Sequence, residues 1–268
     1  MKKFICILAL ALTFFSASAQ RNVIVFGQAK GNNVSNDWVL KLKSSIVEGL
    51  VSSGRLDVVD GATLSNLSAN AAEAIVQLRD AGAQYYMEAT VETITKSSSS
   101  KDGKTTYTAK MEYAYQIYEV ASSSVIASAK KEHYGTSYDG YDAAIASSFS
   151  LVDNDMRSMV NNVFRVGAEI KAVNETHPRK GIVSVYVSAG SSDGVAKGTI
   201  FEVFKIMEVA GEKITEKIGE MKIAEVKSAS LSLCNVTKGG KEIQSALDDE
   251  IPIQIVSRPG LINNILGF

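Results

Sequence analysis

Apolar and polar residues alternate along two stretches of the chain. Tyr85, Met87, Ala89 and Val91 interleave with Tyr86, Glu88, Thr90 and Glu92, and Tyr107, Ala109, Met111, Tyr113, Tyr115 and Ile117 with Thr108, Lys110, Glu112 and Gln116. A period of two puts each apolar set on one face, which predicts half-buried antiparallel strands. Between them "SSSSKDGK" reads as a hairpin loop with Asp102-Gly103 at its tip. A third strand, Val125 to Tyr134, returns after "ASSS". Upstream, the apolar run Asn22 to Phe26 ends at Gly27 and predicts a buried strand followed by a polar loop. From Asp37 to Ser53 the spacing switches to three and four: Val39, Leu42, Ile46, Val47 and Leu50 share a helical face, with Ser35 or Asn36 to cap it and Gly54 to end it. "RLDVVD" at Arg55 is a second strand and "AAEAIVQLRDAG" at Ala71 a second helix. Ile145, Phe149, Val152, Met156, Met159, Val160 and Val163 fit one long amphipathic helix that closes a first domain near Arg165.

Beyond Arg165 the pattern predicts strands alone: Ala168 to Val173, Ile182 to Val187, Thr199 to Met207, Lys213 to Val226 and Ile251 to Val256. Short strands parted by glycine, lysine and serine turns predict a small barrel or sandwich. The expected fold class is α+β, with an N-terminal αβ domain over residues 20–165, whose mixed or antiparallel sheet carries packing helices, and a small C-terminal β-barrel over 166–258. A short apolar tail, 259–268, follows.

The first residues change the picture of where the protein works. Met1, Lys2 and Lys3 precede an apolar run from Phe4 to Phe15, and Ala17-Ser18-Ala19 is an A-x-A cleavage site, so residues 1–19 are read as a signal peptide and Gln20 as the mature start. That run is shorter than the roughly 20 residues that span a bilayer as a helix. The expected location is the periplasm or the outer membrane, or outside the cell, with no transmembrane segment in the mature chain. Cys6 sits inside the leader, which leaves Cys234 as the one mature cysteine and a buried core thiol rather than half of a disulfide. Lys and Arg number 28 against 29 acids, a balance that argues against a nucleic-acid partner.

Candidate chemistry is sparse. Gly190, Gly194 and Gly198 follow a strand-like run, but a phosphate-cradling loop needs closer glycines and a helix beyond them, and "TIFEVFK" after Gly198 is strand-like. The glycines are read as barrel turns. His133 and His177 have no second ligand at metal spacing, so neither a metal nor a cofactor is expected. No nucleophile elbow appears; a hydrolase would need a pocket joining one of these histidines to a serine and an acid. Two groups of residues remain as partner contacts. Tyr86 and Tyr118 lie on the polar face of the tyrosine-rich sheet, and Leu261, Ile262, Ile265, Leu266 and Phe268 make the tail a docking peptide or a segment that folds back on the barrel.

The succession "NVIVFG", "SSGRLDVVD", "LRDAGAQYYMEATVETI" and "YQIYEVASSSVIASA" resembles the periplasmic domain of CsgG-type proteins, the family of the curli secretion channel subunit, and is similar to the lipoproteins that activate peptidoglycan synthases. "AGSSDGVAKGTIFEVFK" with "IGEMKIAEVKSASLSLCNV" resembles the C-terminal barrel of FlgT-type flagellar assembly proteins. Both resemblances imply a protein without catalysis. The chain departs from the channel subunit in three ways: it lacks a lipidated N-terminal cysteine, its hairpin tip is short and polar, and the loop after the first strand offers Gln28, Lys30, Asn32 and Asn33 without an aromatic. The expectation is therefore a non-enzymatic envelope protein that binds or assembles other proteins and can form a homo-oligomer. The alternative is a subunit of a CsgG-type secretion pore.

Overall fold

The computed structural model describes residues 21–259, so the signal peptide expected over residues 1–19 and the contacts expected of Leu261, Ile262, Ile265, Leu266 and Phe268 lie outside the described residues. The chain is α+β and holds two sheets. The first is built from β1 (Asn22–Gly31), α1 (Asn36–Ser52), β2 (Leu56–Asp60), α2 (Ala71–Asp80), β3 (Tyr85–Lys101), β4 (Lys104–Glu119), β5 (Ser124–Ser137), α3 (Tyr141–Ser148) and α4 (Val152–Val163). The second is built from β6 (Gly167–Ala168), β7 (Ile170–His177), β8 (Gly181–Val187), β9 (Ile200–Val209), β10 (Glu212–Val226), β11 (Ser232–Lys238), α5 (Gly240–Asp248) and β12 (Ile253–Ser257).

The first sheet runs β2-β1-β3-β4-β5, with β1 parallel to both neighbours and the remaining pairs antiparallel. The apolar stripe of α1 lays Leu42, Ile46 and Leu50 on one face, together with Phe149, Met156 and Val160 from the segment after β5, over Ile24, Phe26, Met87, Met111 and Tyr113. The opposite face is covered only at one end, where α2 sets Ala74, Ile75 and Leu78 against Val25, Tyr86 and Val120. Asn70 caps α2, accepting from the amides of Ala72 (2.9 Å) and Glu73 (3.4 Å).

The second sheet is antiparallel and curled, in the order β6-β12-β9-β10-β11-β8-β7. Its two edge strands are consecutive in the chain, parted by Glu169 alone, so one bent segment pairs with β12 at its start and with β8 beyond the bend. Inside lie Val185, Val187, Phe201, Val203, Met221, Ile223, Cys234 and Ile255, with Ile243 of α5 on top.

Three local expectations are corrected. The serine run is strand, not loop: Ser97 to Lys101 pair with Thr108 to Lys104, which leaves Asp102-Gly103 as the whole turn. The long helix is two, α3 and α4, around a tight turn at Phe149–Leu151; the Ser148 and Ser150 hydroxyls donate to the carbonyls of Ile145 and Ser147, both 2.7 Å, and such back-bonding competes with the helical ladder. The second half is not strands alone, because Gly240–Asp248 is helical and buries Ile243 and Ala246.

Candidate functional site

The tyrosines come first. Alternation assigns Tyr86 to the exposed side of β3, yet it is 0% exposed, because α2 covers that face as well. Its ring lies across Gly27, where any Cβ would overlap it, and the β1–β3 register shifts between Phe26 and Ala29 at the same place. Burial, with Glu88 and Tyr118 nearby, pushes the Tyr86 phenol up to about 12. Of the expected pair, only Tyr118 reaches the surface; it is half-buried, and its hydroxyl donates to Gln116 and, at 3.5 Å, to Glu88.

Past α2 the same face is a ladder of charges. Glu112 and Glu132 stand opposite each other on β4 and β5, an arrangement that repels by itself. Lys110 bridges both at 2.8 Å and Lys130 closes on Glu112 at 2.8 Å. Hydrogen bonds from the two lysines hold the Glu112 carboxyl down at about 2. At its border β5 pairs with β4 only. This free edge is fourteen residues long, and Val125, Ile126 and Tyr134 are exposed along it, with Tyr138 just beyond.

His133 does meet an acid. Its Nε2 lies 2.7 Å from Asp155 of α4, whose same oxygen accepts from the Tyr113 hydroxyl at 2.6 Å. Burial raises the Asp155 carboxyl, but the hydrogen bonds from His133 and Tyr113 outweigh it and leave the group below its usual value. Burial and the neighbouring carboxylate push the Tyr113 phenol far up. The third member is a tyrosine whose proton is firmly held, where a hydrolase needs a serine that gives its proton up. The cluster ties α4 to β4 and β5. It was visible in the sequence as an acid on an apolar stripe, since Asp155 lies three residues after Val152 and four before Met159. His177 is exposed at the end of β7, and its ring accepts from the Arg179 amide at 3.1 Å. No group of three metal-ligating side chains occurs among the described residues.

The glycine loop is closed on itself. The Gly190 amide donates to Asp193 (2.8 Å), those of Ser191 and Ser192 to the carbonyls of Ser228 and Ala229, and that of Gly194 to Ser191. These amides are therefore engaged within the protein, and the chain continues into strand at Ile200. Gly194 serves the join between the two sheets: at φ +66°, a Cβ there would lie 2.6 Å from Arg55 Cγ and 2.7 Å from the carbonyl carbon of Gly54. Arg21 donates to Ser192 O (2.8 Å), and Arg165 to Ser257 O (2.6 Å) and Glu202 (3.1 Å), across the same seam. Beside it opens a cleft of about 300 Å³ lined by Arg55, Arg157 and Arg258.

No family model matches this chain, and the curated proteins give no match. Solved structures share part of its shape. A PelC dodecamer from Paraburkholderia phytofirmans is 20% identical over 49% of this chain and 86% of its own, with a TM-score of 0.35. The hypothetical protein CT253 from Chlamydia trachomatis is 10% identical over 54% and 98%, at 0.39. Lipoprotein GNA1162 from Neisseria meningitidis is 14% identical over 50% and 97%, at 0.34. At these scores the likeness establishes neither a shared family nor a shared function.

Proposed function

We propose that this is an exported, non-enzymatic protein of the cell envelope that holds other proteins, using the free edge of the first sheet. The observation that carries the reading is β5: fourteen residues paired on one side only, with Val125, Ile126 and Tyr134 exposed. An uncovered strand offers a row of backbone donors and acceptors to an extended partner segment, and side chains on alternate positions supply selectivity. The leader-like first nineteen residues and the resemblance to CsgG-type and FlgT-type proteins support the envelope location. Of the histidines that sequence made suspect, His133 is engaged in packing against Asp155 and Tyr113 and His177 bonds only a backbone amide, which supports a role without catalysis.

The pore reading fares less well on the β3–β4 ribbon. A lipid-facing strand needs roughly 9–11 residues with one apolar side. Ser97 to Ser100 and Thr105, Thr106 and Thr108 place hydroxyls on both sides of this ribbon.

The test is a photo-crosslinking residue placed at Ile126 or Tyr134 of the full chain in its own cells. The expected result is one discrete adduct with an envelope protein from either site, and none from Lys222 on the second sheet. Adducts of equal yield from all three positions, or recovery of the processed chain from the cytosol, refute the proposal.

A further inference from the structure

The cleft at the seam gathers positive charge that the fold offsets only in part. Arg55 follows α1, Arg157 belongs to α4 and Arg258 follows β12, so three separate segments bring arginines to one opening, and none of the described residues lining it is a carboxylate. Arg55 is only 9% exposed. Its Nη1 donates to the carbonyls of Phe164 (3.2 Å) and Asn161 (3.4 Å) at the end of α4, while its Nε has no partner. Helix-end carbonyls offset a fraction of one charge. A largely buried guanidinium bonded at Nη1 to carbonyls, with its Nε donor left over, carries a desolvation cost that these bonds do not fully relieve.

The other two arginines are weakly committed. Arg157 reaches Asp153 (2.7 Å) and Asn154 (2.8 Å) on its own exposed helical turn. Arg258 has Glu220 at 3.9 Å, beyond hydrogen-bond length, and that carboxylate is already bonded by Lys217 at 2.8 Å and paired with Lys238 at 3.1 Å. The Thr199 hydroxyl accepts from the Ala196 amide, which leaves its own proton to donate. The cleft's volume is at the small end of the range for small-molecule sites.

We propose that this cleft is a binding site for a phosphate group, held by Arg55, Arg157 and Arg258 with Thr199 as a hydroxyl donor, and that its occupation clamps the two sheets together. Guanidinium forks match phosphate oxygens two at a time, and three of them around one opening neutralise a dianion without any change of fold. The site uses side chains and not the glycine-loop amides, which are engaged internally. It lies on a different part of the molecule from the β5 edge, so the two proposals stand or fall separately.

The experiment uses the mature chain, residues 20–268, in a phosphate-free buffer. Inorganic phosphate and glycerol 3-phosphate are titrated by calorimetry, with vesicles of phosphatidylglycerol as a third arm. Saturable binding of either soluble probe, with a Kd on the order of 1 mM or tighter, is expected, and it assigns the site to free phosphate compounds. Binding of the vesicles alone assigns it to a lipid headgroup. Arg157→Gln with Arg258→Gln should weaken binding at least about tenfold, while Arg179→Gln, on an exposed turn of the second sheet, binds as the parent does. Arg55→Gln also removes a tie to α4, so the double variant carries the test, after circular dichroism has shown it folded. No saturable binding in any arm, or equal binding by the folded double variant, overturns the proposal.

Discussion

The two sheets bury their cores by opposite means. The first is covered from outside: α1, α3 and α4 lie on one face and α2 on one end of the other, and what is left uncovered is a charged ladder and the edge β5. The second curls around its own core, and one bent segment serves both of its edges. A sheet covered by separate helices leaves faces and edges that a partner can use. The second sheet keeps one long edge as well, β7, which pairs with β8 alone and is exposed along seven of its eight residues, and it meets the first unit at a seam.

The difference is sharpened most strongly by emptying one core at a time. Phe149→Ala opens a cavity under α1 and α4 and should cost about 3–5 kcal/mol, and Phe201→Ala should do the same inside the second sheet. In scanning calorimetry each should lower its own transition. If either substitution lowers a single shared transition, the two cores melt as one and the contrast fails. Asp155→Ala strips the bonds from His133 and Tyr113 and leaves the phenol buried without an acceptor, for a loss on the order of 2–3 kcal/mol in urea unfolding, confined to the first core. Asp155 also gives the first unit an acid sensitivity. Its folded pKa lies below the ordinary 3.8, so its contribution is complete above that value and is lost as pH falls through the lower one. Asp155→Asn should flatten that part of the stability profile, below the ordinary carboxylate value.

Gly194→Val forces a branched side chain into a left-handed backbone against Gly54 and Arg55, and about 1–3 kcal/mol should be lost. Because the clash is at the seam, faster protease cleavage between residues 164 and 167 should accompany it; unchanged cleavage would show that the seam is not what holds the units together. Smallest is Lys110→Met on the charged ladder, for which the thermal midpoint should fall only slightly, since surface ion pairs contribute little and Lys130 still neutralises Glu112 where it faces Glu132. A clear drop would mean that this face is more than a solvated surface.

The sequence made legible what depends on period. The strands of the first sheet, the stripe of α1 and the turn at Asp102-Gly103 follow from spacing. Where it misled, the reason is physical. Four serines read as a loop because their propensity is poor, but cross-strand pairing with Thr105 to Thr108 overrides propensity. Tyr86 read as exposed because alternation assumes one buried face, and α2, which ends just before β3 at Asp80, folds back to cover the other. The helix α5 went unseen because Ile243, Ala246 and Leu247 are too few apolar positions to set a period. The arginine cleft joins positions 55, 157 and 258, and no local pattern connects them.

The short pairing of β6 with β12 sets Gly167 beside Val256, so the chain enters and leaves the second sheet at neighbouring points. A pull applied between residues 165 and 258 would load those bonds one after another, as a zipper opens, and not all together in shear. Under a pull applied there, this doorway should therefore yield first, at low force, before the longer ladders of the same sheet are loaded.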